Sequence, residues 1–523
     1  VIPSRDGRAL LERALPGIRR ELEGIESEVI IVDNGSVEGA LLFPGVRIVT
    51  SEAPLSFARA VNLGLGEARF SHVCLLNNDM EVQPGFFREL RLAFAKTPDL
   101  FCATAQILFP EGARRQETGK AVMPGAPSTD FPVRCEEPLP GEDGTWVLYG
   151  SGGCSLYDAA KLRSLAGLGE IFEPAYVEDL DAGFRAWQRG WPSVYTAGAR
   201  VVHHHRATTS RFFTPEELER MVEVNYLRFL AQSVASPATF RQLWRMAIAR
   251  LNTLAARMQP PAPAVAALRM ACRAPFWHAL PAVVEPPEEA ILALGSGLVS
   301  VFPGKASRGR PIIVVAAPYP PFPLSHGGAV RMYNLMREAA AGYDQVLICF
   351  VEEAAAPPAE LLELCAEIVV VRRRGTHILA DRGRPDVVEE FDAPAFAEAL
   401  RQTVRRWRPF AVQLEFTQMA QYAADCAPAH TILVEHDVTF DLCRQMLAVE
   451  EDWEMRRQYE RWRVFESDAW KRVSAVVVMS EKDRKTVGLS PAVVIPNGVD
   501  LDRFTPSPEE PESARVLFIG SFA

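Results

Sequence analysis

Short β-branched apolar runs alternate with amphipathic helical stretches along this chain, and that alternation constrains its fold more than any other feature. Val29 to Val32, Val46 to Val49 and Val73 to Leu76 read as buried parallel strands, with helix-period segments at Leu10 to Leu22 and Phe57 to Ala68 between them. Such an order predicts a doubly wound α/β domain with its ligands at the carboxyl ends of the strands, so chemistry is sought just after each apolar run. The pattern lapses at Gln232, where helical, Arg-bearing segments broken by Pro260, Pro261, Pro263, Pro286 and Pro287 read as a connector with mobile joints. It resumes at Ile312 to Ala316 and continues through Val346 to Phe350, Ile368 to Val371, Ala411 to Leu414, Thr431 to Val434 and Ala475 to Met479. The expected organisation is therefore a first α/β domain over 1–231, a helical connector over 232–310 and a second α/β domain over 311–515. A last strand at Val516 to Ile519 would open a further unit, 516–523, and both chain ends read as cut.

Composition narrows the function classes. A formal charge of −10 argues against a general nucleic-acid binder, and the basic run Arg372, Arg373, Arg374 reads as a solvated strand end. Nine cysteines without a Cys-x-x-Cys pair fit thiols in a reducing compartment better than a disulfide frame or a zinc site. No signal peptide and no apolar run of spanning length is present; Ala290 to Phe302 is short and broken by Gly295 and Gly297. The expected location is cytoplasmic, with peripheral contact at the inner membrane face as a further option.

Polar residues gather where the strands end. Asp33, followed by Asn34, Gly35 and Ser36, closes one strand in a turn and is placed to accept from a base or a ribose, or simply to cap the next helix. Leu75 and Leu76 lead abruptly into Asn77, Asn78 and Asp79, where Asp79 is placed to ligate a hard cation such as magnesium or manganese. Glu178, Asp179 and Asp181 crowd the start of a helix, with Asp179 the candidate general base. A strand from Ala199 to Val202 runs into His203, His204 and His205; alternation puts His203 and His205 on one face, either able to complete a metal shell.

Taken in order, Val1 to Ser4, Val32 to Ser36, Phe57 to Gly64, Leu76 to Asp79, Gly150 to Gly153 and Glu178 to Asp181 resemble the motif series of glycosyltransferase family 2, in its rhamnosyltransferase-like branch. The resemblance covers roughly residues 1 to 230. It implies a GT-A fold, an inverting single displacement and a divalent cation, Mn2+ or Mg2+. It places the metal-binding Asp-x-Asp on Asn77 to Asp79 with Asn for the first Asp, the base on Asp179 and the late metal histidine on His203. Nucleobase contacts fall on Pro3, Ser4 and Asp33, with Arg59, Asn62 and Asn78 also on the donor side. Gly152, Gly153 and Glu178 fall near the transferred sugar and the acceptor.

Residues 310 to 523 carry a second resemblance. Gly327 and Gly328 follow the Pro318 to Pro323 loop, Glu435-His436-Asp437 ends a strand, and Pro496-Asn497-Gly498-Val499-Asp500 leads to Phe504; together they look like the first Rossmann half of glycosyltransferase family 4. That resemblance implies a GT-B fold, retention of configuration, no metal, and site residues at Gly327, Gly328 and His436. The family's donor-binding half, with its paired glutamates, would begin at Val516.

The expected function is transfer of a sugar from a nucleotide-diphosphate sugar to a glycan or lipid-linked hydroxyl, by a bifunctional enzyme of glycan or cell-surface polysaccharide assembly. Two other classes compete with it: a degenerate module that holds polysaccharide or nucleotide sugar without turnover, and a nicotinamide dehydrogenase. The ordered Asp33, Asp79 and Asp179 favour an enzyme over the former, and the lack of a Gly-x-Gly-x-x-Gly turn after a strand weighs against the latter.

Overall fold

The computed structural model describes residues 1–37, 43–110, 118–125, 130–204, 212–257, 262–273, 286–373, 382–450, 452–488, 491–499, 501 and 505. His205, Pro260, Pro261, Arg374, Asp500, Phe504 and the segment 516–523 lie outside these residues.

The chain begins with a parallel three-stranded sheet, Ile2–Ser4, Ile30–Asn34 and Arg47–Ser51 in that spatial order. Ile30, Ile31 and Val32 are each at most 1% exposed, which explains why that strand is apolar at consecutive positions. Arg47–Ser51 is the edge of this sheet and is half-covered, not buried as its sequence suggests. At the other side the sheet is continued through Val1, whose amino group donates to the Cys74 carbonyl (2.8 Å) and whose carbonyl accepts from Leu76 N (3.1 Å).

The next sheet is mixed, not parallel. His72–Leu76 pairs antiparallel with Cys154–Asp158, which is also antiparallel to Cys102–Leu108; Ser193–His203 then runs parallel to Cys102–Leu108 and antiparallel to Met80–Val82. The expectation of parallel pairing for Val73 to Leu76 fails because its partner is a strand almost eighty residues away, running back from the Gly150 to Gly153 segment; periodicity carries no information on strand direction.

Helices follow as expected, Phe57–Glu67 packing on Ile2–Ser4 and Ile30–Asn34 and Arg8–Glu21 on Met80–Val82, the former capped by the Ser56 hydroxyl accepting from Arg59 N. Pro215–Ser233 opens on a capping box made by Thr214 and Glu217 and packs back against the first domain, against Glu178–Trp187 and the short helix Glu170–Phe172. Pro237–Arg257, Ala262–Arg273 and Glu288–Leu294 are helices of the connector.

The connector does not stay helical to residue 310. Val299–Pro303 becomes the antiparallel edge strand of the second sheet, next to Glu367–Arg372. From there the order is Asp344–Val351, Ile312–Ala317, Ala411–Glu415, His430–Glu435, Ala475–Val478 and Ala492–Val494, all parallel. Chain order reverses between Ile312–Ala317 and Ala411–Glu415, which opens a crevice at their carboxyl ends.

The two α/β units share one continuous apolar core. Trp146 and Leu148 of the first, Ile291 and Leu294 of the connector, and Val299 and Val301 of the edge strand belong to it, all at most 3% exposed. Polar contacts line the same seam. Val301 N donates to Thr145 Oγ1 (2.9 Å), and Lys120 forms a buried ion pair with Glu142 (2.7 Å) while donating to Ser300 Oγ (3.4 Å). Arg406 lies over the Trp146 ring (4.4 Å) and pairs with Glu367 (2.8 Å).

Candidate functional site

A cavity of about 510 Å³ opens where Ile2–Ser4 and His72–Leu76 end, and Pro3, Ser4, Asn78 and Asp79 form one side of it. Asn78 Nδ2 donates to Ser4 Oγ (2.9 Å), which ties the two strand ends together. Asp79 is 7% exposed, and its Oδ1 stands 3.5 Å from Nε2 of His203, the last residue of Ser193–His203. His204 turns elsewhere, with Nε2 2.8 Å from Glu81 Oε1. Among the described residues no group of three or more His, Cys, Asp or Glu side chains could hold a metal ion. An aspartate and an imidazole opening on a cavity are nevertheless a donor set that suits a hard cation keeping most of its positions for phosphate oxygens.

Gly152, Gly153, Tyr176, Glu178 and Asp179 line the same cavity. Asn77 N donates to the Gly153 carbonyl (2.9 Å), and a Cβ at Gly153 would sit 2.5 Å from Asn77 Nδ2, so any larger residue there would displace the Asn77 side chain. The Asp179 carboxylate accepts from Gly152 N (3.2 Å) and Leu180 N (2.9 Å) at the positive end of Glu178–Trp187.

The three clustered acids have three different environments. Asp181 is 1% exposed, pairs with Arg185 (2.6 Å) and accepts from the Ser233 hydroxyl, so it is a packing residue. Glu178 is buried and its Oε2 has no hydrogen-bond partner among the described residues; desolvation, reinforced by the charges of Asp179 and Asp181, pushes its carboxyl well above the usual range. Only Asp179 is both half-buried and held by backbone donors in the cavity wall.

Three predicted donor-side residues are not among those lining the cavity. Asp33 is 5% exposed and accepts from Ser36 N (3.4 Å), whereas its neighbour Asn34 does line the cavity and is fixed by a reciprocal pair of bonds with the Leu55 backbone (2.6 and 3.0 Å). Arg59 pairs with Glu170 (3.3 Å) and Glu173 (2.8 Å). Asn62 exchanges two bonds of 2.9 Å with the Leu168 backbone and so pins a loop. Both side chains leave Phe57–Glu67 on the face that meets this distant loop.

In the second unit, Gly327 and Gly328 begin the helix Gly327–Ala339, with the His326 ring accepting from Ala329 N. A Cβ at Gly328 would fall 2.5 Å from Tyr319 Oη and 2.8 Å from Phe416. His436 stacks on Phe416 (3.7 Å between centroids) and its Nε2 lies 2.7 Å from Glu415 Oε2. Arg331 reaches the carbonyls of Ile495 (2.8 Å) and Pro496 (3.1 Å) and Asn497 Oδ1 (3.0 Å), which the sequence motifs did not connect. These groups gather at the crevice where strand order reverses.

Beside it, Glu435 and Glu466 are buried together; Trp470 Nε1 (2.6 Å) and the Thr417 hydroxyl donate to Glu435, and the amides of Thr439 and Phe440 donate to Glu466. Desolvation, followed by the Glu466 charge, pushes the Glu435 carboxyl from its ordinary 4.5 up to about 8. The folded protein therefore retains a proton that the unfolded chain has already released, and stability falls as pH rises from about 4.5 to about 8. The thermal midpoint followed across that range should decline, and Glu435→Gln should flatten the decline. An unchanged slope in the variant would place the retained proton elsewhere.

Residues 1–165 match the family model described as "Glycosyl transferase family 2". An uncharacterized protein, y4gI, of Sinorhizobium fredii is 26% identical over 46% of this chain and 28% of its own length. The O-antigen biosynthesis protein RfbC of Myxococcus xanthus is 28% identical over 41% of this chain and 18% of its own. An N-acetylglucosaminyl-diphospho-decaprenol L-rhamnosyltransferase of Mycobacterium tuberculosis is 28% identical over 38% of this chain and 74% of its own. The chain thus spans only about a quarter or less of the first two relatives it matches. Residues 1–165 are thus similar to the family 2 glycosyltransferases, and the cavity they help to line also takes in Glu178, Asp179 and His203 beyond that stretch.

Proposed function

We propose that the first domain transfers a sugar from a nucleotide-diphosphate sugar to an acceptor hydroxyl, with inversion. What supports this reading is that Asp79, His203 and Asp179 all line a single cavity. In this reading the diphosphate lies near Asp79, and Asp179 removes the proton of the acceptor hydroxyl. The freed oxygen bonds to the anomeric carbon from the face opposite the leaving group, and the bond from that carbon to the diphosphate oxygen breaks. Gly152 N–H holds the Asp179 carboxylate in orientation, and Ser4 and Asn78 shape the donor side. Asp79 and His203 would hold a divalent cation, which when bound offsets the charge of the diphosphate.

The M. tuberculosis relative is named for a lipid-diphosphate acceptor and the M. xanthus relative for O-antigen synthesis, which supports a glycan or lipid-linked acceptor and a role in surface polysaccharide assembly. No helix among the described residues is long and apolar enough to cross a membrane; the proposed reading puts contact with a lipid-linked acceptor at the cytoplasmic face of the membrane, as a peripheral one. The second unit is read as an acceptor-side half resembling family 4, with Gly327, Gly328 and His436 at its crevice, which would make the protein bifunctional.

The test is a screen of dTDP-L-rhamnose, UDP-N-acetylglucosamine and GDP-mannose for manganese-dependent release of nucleoside diphosphate. Release from none of them, with binding retained, would favour a module that has lost turnover. Within that assay His203→Ala is expected to raise the manganese concentration for half-maximal rate by about tenfold, and His204→Ala to leave it almost unchanged, because only His203 faces Asp79. Equal effects would remove His203 from the cation site.

A further inference from the structure

We propose that Asn225 is a positioning residue for the transfer reaction, holding the chain ahead of Asp179 in the backbone shape that presents this carboxylate to the cavity; the proposal rests on the reading of Asp179 as the base. Tyr176 (φ 75°) and Val177 (φ 80°) are consecutive non-glycine residues in the left-handed region, immediately before Glu178 and Asp179. A β-branched residue there is a genuine outlier, and such a conformation persists only where its surroundings impose it.

Asn225 supplies that imposition. It sits on Pro215–Ser233, is 0% exposed, and its Nδ2 donates to the carbonyls of Phe172 (2.9 Å), Ala175 (2.9 Å) and Tyr176 (3.0 Å). Its Oδ1 accepts from Arg228 (2.9 Å), whose guanidinium also reaches the Ile171 carbonyl (3.0 Å). One amide thus gathers three carbonyls of the turn while a second side chain fixes the orientation of that amide. Asp at this position would set carboxylate oxygen against three carbonyls, and Leu would leave all three without a donor. About two helical turns further on, Ser233 binds Asp181, so one helix grips the chain on both sides of Asp179.

The experiment compares Asn225→Ser, Arg228→Met and Asp179→Asn in the full chain, using the donor selected by the nucleotide-sugar screen. Asn225→Ser is expected to lower kcat by about 10- to 100-fold with little change in donor KM, the scale of a misplacement near 1 Å. In the Asp179→Asn background the same change should cost nothing more, since the residue acts through that carboxylate. Amide hydrogen exchange across 173–180 should quicken while the rest of the protein keeps its protection. A wild-type kcat for Asn225→Ser, or a full further loss in the Asp179→Asn background, would overturn the proposal. If Asn225→Ser does not fold, Arg228→Met carries the test: a lowered kcat with unchanged donor KM supports the proposal, and wild-type kcat overturns it. A wild-type rate for Asp179→Asn would instead remove the base assignment beneath it.

Discussion

Asp179→Asn is expected to lower turnover by about 10²-fold or more, the usual scale for losing a positioned general base, and to leave donor affinity nearly unchanged. The substitution keeps the shape of the side chain, and its amide oxygen can still accept from Gly152 N or Leu180 N, so the geometry of the helix start should survive. What it cannot do is take a proton. Single-turnover transfer with saturating donor, compared with donor affinity by titration, separates the two effects. Normal turnover would move the base, and the environments described above limit where it could go. Asp181 is locked to Arg185 and Ser233, and burial pushes the Glu178 carboxyl well above the usual carboxylate range.

Asp79→Ala is expected to abolish metal-dependent donor binding. Asp79 is the anionic member of the Asp79–His203 pair, and without it a hard cation loses its charged protein ligand while the diphosphate enters the cavity uncompensated. Asp79 also anchors backbone, its carbonyl accepting from His204 N (3.0 Å), but that bond does not depend on the side chain and should persist in the variant. Calorimetric titration of donor in the presence of manganese measures the loss directly. Undiminished affinity would show that the cation, if one binds, is held by other groups.

Residues whose place is set by a strand end were legible in the sequence. Asp79 and His203 each close or follow an apolar run, and the period of two separates His203 from His204 without any knowledge of the fold. Residues on helices were less so: Arg59 and Asn62 have the right company in sequence, yet which side of Phe57–Glu67 meets the cavity depends on a loop more than a hundred positions away. Direction and neighbour were likewise hidden for His72–Leu76, and the strand Val299–Pro303 was masked by the glycines that precede it. Asn225 did leave a signal, a lone amide between Val224 and the Tyr226-Leu227 pair, but only its three carbonyl partners give that signal a meaning.

The apolar core that runs from Trp146 through Val299 and Val301 governs how this protein can be taken apart. A cut near residue 231 would bare Trp146 and Leu148, and a cut near 310 would strip Val299–Pro303 from Glu367–Arg372, leaving a raw sheet edge ready to recruit another chain. Either piece would tend to aggregate, and an inactive fragment would report on its solubility before its chemistry. Heating the whole chain should accordingly give one calorimetric endotherm spanning both units, not two, and dissecting the contribution of each half calls for point substitutions in the intact protein.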